Sequence, residues 1–226
     1  MKKSIYFLFA LFMLSMVSCN YATNAKGNTM TEDPMAKENK SLVQEKEYTS
    51  KDAHWTVKLT GELKDTRTDE EQLADVPRKE DIVNTVAFDS RPATKGTKSS
   101  KDMYFKVYLE LQKTVKYGAK KITFVLKSKL MTPIVIKASE TQPIQIKFSN
   151  NDVVDIHNVD ITYQKNNDPE FKYLDVKDTI MKAELSLDLI NRLRTAQSDI
   201  TIVFNANDDS FTLPLPPIFI EYLKEF

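Results

Sequence analysis

The stretch Met103-Tyr104-Phe105-Lys106-Val107-Tyr108-Leu109-Glu110-Leu111-Gln112 decides the fold class. Met103, Phe105, Val107, Leu109 and Leu111 alternate with Tyr104, Lys106, Tyr108, Glu110 and Gln112. Only an extended chain sorts a period-two pattern onto opposite faces, one toward a core and one toward solvent. Tyr117-Gly118 predicts a turn, after which Ile122, Phe124 and Leu126 share a face and Lys121, Thr123 and Lys127 lie opposite. The two segments are expected to form a hairpin.

The same rhythm continues outward in both directions. Trp55, Val57 and Leu59 alternate with Thr56, Lys58 and Thr60, a strand that Gly61 is expected to end, with Trp55 in or near the core. A short helix is expected over Asp69 to Asp75, stopped before Pro77. A strand follows over Ile82 to Phe88, then an exposed loop over Asp89 to Lys101. Beyond the hairpin, Pro133-Ile134-Val135-Ile136-Lys137 and Pro143-Ile144-Gln145-Ile146-Lys147 predict two short arms with Pro at the strand start. Val153, Val154, Ile156, Val159, Ile161 and Tyr163 add one or two strands around an Asn/Asp-rich turn.

In the C-terminal quarter Met181, Ala183, Leu185 and Leu187 predict a strand running into a helix capped by Ser186, with Leu189, Ile190 and Leu193 on its apolar face. Ile200 to Phe204 and Phe211 to Leu215 predict a second hairpin. Pro216-Pro217 opens a last helix, where Phe219, Tyr222, Leu223 and Phe226 fall at i, i+3, i+4 and i+7. The fold expected is mainly β, an antiparallel sandwich or partial barrel with two short C-terminal helices, running from Lys51 to Phe226. A split near Met131 into two small β units is the alternative.

The N-terminus has another character. Lys2 and Lys3 precede an apolar run from Ile5 to Val17, which is too short to span a bilayer and ends at Ser18-Cys19, the one cysteine of the chain. Met16-Val17-Ser18-Cys19 resembles the lipobox of bacterial lipoproteins, with Met where the family prefers Leu. The resemblance implies cleavage before Cys19 and acylation of its sulfur. Several acyl chains on one residue hold a protein to a bilayer where one gives marginal binding, at about 0.8 kcal/mol per buried CH₂. By the same resemblance, Asn20 without nearby acidic residues implies sorting to the outer membrane, on its periplasmic side. Asn20 to Ser50 is polar and weakly apolar, and is expected to be a disordered tether reaching about 30 Å.

Charge and residue inventory restrict the chemistry. The chain has 32 basic and 32 acidic side chains, and loss of Lys2 and Lys3 leaves 30 against 32, a net charge of −2. That balance gives no reason to expect nucleic acid. Of the two histidines, His157 lies between Asp155 and Asp160, the nearest approach to a base and its orienter. No nucleophile or zinc motif accompanies it. Asn150-Asn151-Asp152, Asn166-Asn167-Asp168 and Asn205 with Asn207-Asp208-Asp209 are oxygen-rich, but their spacing fits turns better than calcium. No metal and no cofactor is expected.

Tyr104, Lys106 and Tyr108 share one face of the opening stretch and form the candidate binding surface. The function expected is a non-catalytic binding or structural module of the cell envelope, held by Cys19 and meeting an envelope protein or glycan. The alternative is a glycan hydrolase using paired carboxylates such as Asp155 with Asp160, or Glu170 with Asp175.

Overall fold

Alternating residues become strands along the whole domain. The computed structural model describes residues 40–74, 80–90, 94–95, 104–116, 121–132, 137–149, 152–167, 169, 175–197, 199–206 and 210–226. The first half holds β1 (Lys46–Thr49), β2 (Trp55–Lys64), α1 (Asp69–Leu73), β3 (Asp81–Ser90), β4 (Thr94–Lys95), β5 (Tyr104–Lys116) and β6 (Lys121–Thr132). The second half holds β7 (Ile144–Phe148), β8 (Val153–Ile156), β9 (Asp160–Lys165), β10 (Lys177–Leu185), α2 (Leu187–Thr195), β11 (Ile200–Asn205), β12 (Ser210–Pro214) and α3 (Pro217–Leu223).

These strands build two antiparallel sheets. The larger has the order β1-β2-β3-β5-β6-β10-β9, with β4 beside β5, and the smaller has the order β12-β11-β7-β8. Neither closes into a barrel, and the fold is sandwich-like. The expected hairpin is its spine, with β5 and β6 paired from Lys106↔Met131 to Lys116↔Lys121. Val107, Leu109 and Leu111 are buried on one face, while Tyr108, Glu110 and Gln112 stand half-buried on the other. The small sheet buries Ile144, Ile146, Ile200, Ile202, Phe204, Phe211 and Leu213 on one face.

The helices start where their caps dictate. Ser186 Oγ accepts the Leu189 N–H at 3.2 Å. Thr68 and Glu71 form a reciprocal capping box on α1, its N–H bonds at 3.1 and 2.7 Å. Pro217 opens α3 where a missing N–H costs nothing. The apolar stripe of α3 is core: Phe219, Tyr222, Leu223 and Phe226 are all buried. Arg194 of α2 holds this end down, donating to the Leu223 carbonyl at 3.2 Å and the Phe226 carbonyl at 2.6 Å.

Four expectations change. The folded unit includes the described residues from Lys40 onward, so it starts before Lys51. Part of the expected tether is β1, paired with β2 from Lys46↔Leu59 to Thr49↔Thr56. Tyr48 lies 5.6 Å from Trp55, which is 6.0 Å from Phe88, and Lys46 pairs with Glu225 at 2.7 Å. Just upstream, the fully buried Asn84 accepts the Val43 N–H at 3.2 Å and donates to the Ser41 carbonyl at 2.9 Å.

Gly61 does not end β2. It lies within the strand, and a Cβ there would sit 2.8 Å from the Val43 carbonyl oxygen. The missing side chain is what admits the Ser41–Val43 segment. The alternative split near Met131 is excluded, because β6 pairs with both β5 and β10 and the large sheet draws strands from either side. The expected Asp89–Lys101 loop yields its start to β3, which extends to Ser90, and Thr94–Lys95 pairs with β5. The Ile134 arm and all residues through Asn39, Cys19 included, lie outside the described residues.

Candidate functional site

The solvent face of the large sheet carries the site. Across the sheet, register places Lys58, Ala87, Glu110, Lys127 and Lys182 in one row on β2, β3, β5, β6 and β10. A second row runs Thr60, Thr85, Gln112, Val125, and a third begins Thr56, Asp89, Tyr108. Together they line a groove of about 770 Å³. Its floor is the half-buried set Thr85, Ala87, Glu110, Gln112 and Val125. Its walls are the exposed Lys58, Glu62 and Lys64 on one side and Lys127 and Lys182 on the other.

Most side chains lining the groove are polar, with hydroxyls, one amide and charges of both signs. Most of these charges are already engaged. Glu47 pairs with Lys58 at 2.8 Å and raises its pKa through a hydrogen bond and charge attraction. Lys64 lies 3.6 Å from Glu62, and Asp89 lies 3.6 Å from Lys106. Tyr108 donates to Glu110 at 2.7 Å. Burial, and then that bond, push the Tyr108 phenol well above its ordinary pKa. Lys127 and Lys182 make no ion pair or hydrogen bond among the described residues. They stand directly opposite each other across β6 and β10.

Of the residues expected to form a binding surface, Tyr108 lines one end of this groove, while Lys106 and Tyr104 precede it on β5 and are not among the lining residues. Lys106 is nearly buried, its side chain 12% exposed beside Asp89. The half-buried Tyr108 packs on the buried Met131 and Val176, and its hydroxyl is engaged by Glu110. Tyr104 pairs with Lys95 through the backbone, and its side chain lies outside the described residues. A row of side chains from five strands could not be found by scanning one strand. The only sequence signal for it was the polar half of each alternation.

Among the described residues the catalytic candidates do not converge. His157 is exposed at the crossover from β8 in the small sheet to β9 in the large one, beside Asn158 at φ 54°. Asp155 accepts from the Gln142 and Gln145 amides at 3.1 and 2.7 Å, while Asp160 is an exposed residue of the other sheet. Lys177 holds Asp175 at 2.6 Å and lowers its pKa. Glu170 lies outside the described residues.

The oxygen-rich turns are spoken for where they are described. Asp152 pairs with Arg192, Asn166 donates to the buried Asp178, and Asn205 donates to the Gln142 carbonyl at 2.9 Å. Among the described residues no three His, Cys, Asp or Glu side chains gather as a metal site, and no helix is long and apolar enough to cross a membrane. No family model matches this chain, and no curated protein and no solved structure matches it either.

Proposed function

We propose that this protein is a cell-envelope lipoprotein, held by an acylated Cys19 at the outer membrane and facing the periplasm, whose β-domain is a non-catalytic binding module. The anchor rests on the resemblance of Met16-Val17-Ser18-Cys19 to a lipobox. The binding role rests on one observation, the groove lined mostly by polar side chains across β2, β3, β5, β6 and β10. A groove of this size accepts several units of an extended polar ligand, and its half-buried floor gives that ligand a surface partly shielded from water. Side chains that serve only solubility need no shared hollow.

Two measurements test the proposal. Labelled palmitate should enter the wild-type chain and not Cys19→Ser, and the variant should leave the membrane fraction. Retention of the full chain on immobilised envelope polysaccharide should be lost in Thr85→Trp, which fills the centre of the floor with a residue that strands accept. Equal retention of the two proteins would remove the groove from the account, and a palmitate-free wild type would remove the anchor.

A further inference from the structure

Within that groove, we infer that the ligand is an acidic oligosaccharide and that Lys127 and Lys182 seat one of its carboxylates. The inference rests on the groove reading above and adds the ligand's chemistry. Lys127 and Lys182 are paired residues of β6 and β10, so their Cβ atoms lie about 4.5–5.5 Å apart, and like charges so placed destabilise a sheet. Both are exposed, line the groove and have no partner among the described residues. In the same row Glu110 stands opposite Lys127 and Asp160 opposite Lys182, while Glu184 follows Lys182 on the same face. None of these acids lies within ion-pairing distance of either lysine. An anion placed between the two ammonium groups would relieve their repulsion and take charge-assisted hydrogen bonds from both.

The rest of the lining selects the kind of anion. Thr60, Thr85 and Gln112 offer hydroxyl and amide groups, and Glu62 and Glu110 add carboxylates that accept from hydroxyls. Vicinal sugar hydroxyls need that mixture of donors and acceptors. A nucleic acid fits poorly, because its bases need a run of stacking aromatics and Tyr108 is the one aromatic of the lining. A peptide adding as a strand finds no free edge here, since β2, β3, β5, β6 and β10 are each paired on both sides. An apolar ligand finds two small aliphatic side chains, Ala87 and Val125, and the Tyr108 ring among charged and hydroxyl-bearing neighbours.

The test uses the full chain in detergent and isothermal titration with hexamers of galacturonate, mannuronate, guluronate and hyaluronan. Each is paired with its carboxyl-reduced counterpart. At least one acidic hexamer should bind at least tenfold more tightly than its reduced form, and more weakly as salt rises. Lys127→Gln/Lys182→Gln should lose that tenfold while still binding the reduced form, with a melting temperature equal to or above that of the wild type, since the repulsion between the two lysines is gone. Thr85→Trp should lose both.

Equal binding of acidic and reduced forms, or an indifferent double variant, overturns the carboxylate seat. If Thr85→Trp still abolishes binding in that case, the groove stands without it. Should no hexamer bind, or should binding ignore Thr85→Trp, the acidic-glycan inference is overturned; indifference to Thr85→Trp also takes the groove reading with it.

Discussion

Replacing Gly61 by alanine should destabilise the domain, although alanine in a strand is ordinarily favoured over glycine by about 0.5–1 kcal/mol. The added Cβ would lie 2.8 Å from the Val43 carbonyl oxygen, 3.0 Å from Asn84 Oδ1 and 3.1 Å from Val43 Cγ2. Two of these neighbours belong to the segment clamped by Asn84, so the cheapest relief is for that segment to leave. Its departure loses two hydrogen bonds of about 1 kcal/mol each and exposes what the segment covered. Setting that loss of about 2–3 kcal/mol against the backbone gain leaves a net destabilisation of about 1–2 kcal/mol.

For a domain of this size such a loss lowers the melting temperature by about 2–8 °C. Urea unfolding of Gly61→Ala, Asn84→Ala and the double variant supplies the decisive comparison. Asn84→Ala already frees the segment, so adding Gly61→Ala to it should be neutral or stabilising by up to about 0.5 kcal/mol. A single Gly61→Ala that stabilises the protein, or one that costs the same in both backgrounds, would refute the clamp.

Phe219→Ala should cost about 3–5 kcal/mol in urea unfolding, since the ring is 1% exposed; a loss below 1 kcal/mol would mean α3 is not part of the core. Tyr108 supplies a pH prediction. Its raised pKa means the folded state holds the phenolic proton, so its contribution is whole below the unfolded tyrosine value of about 10 and falls as pH climbs past it. Tyr108→Phe should therefore flatten the fall in melting temperature above about pH 10, and an unchanged slope would contradict that origin.

The parts of the fold that local order determines were legible in the sequence. The β5–β6 hairpin follows from alternation, the start of α2 from Ser186, and the burial of α3 from a 3.6-residue stripe. The parts set by distant neighbours were not. Lys46–Thr49 is polar and reads as tether, yet its backbone completes the ladder of β2. Gly61 reads as a stop because its real partner, Val43, is brought near only by the fold.

Lys113 lies on the apolar side of β5 and is fully buried beside Asn84, which no alternation rule anticipates. The groove was legible only as polar half-patterns. Register alone shows that Lys127 and Lys182 are neighbours, and Tyr108, chosen from its own strand, proves to be part of a small apolar cluster at the groove's end.

The crossover at Asn158 has a bearing on how the chain assembles. The small sheet takes β7 and β8 from before it and β11 and β12 from well after it, while β9 and β10 between them finish the large sheet. The strands of the two layers are therefore interleaved along the chain, and no contiguous stretch holds all the strands of one sheet without carrying strands of the other. Cleavage in the middle of the chain should leave two pieces that are unstructured apart and regain their order only when mixed. Melting should be a single transition, and refolding slowed by the β6–β10 and β7–β11 pairings, which join strands far apart in the chain.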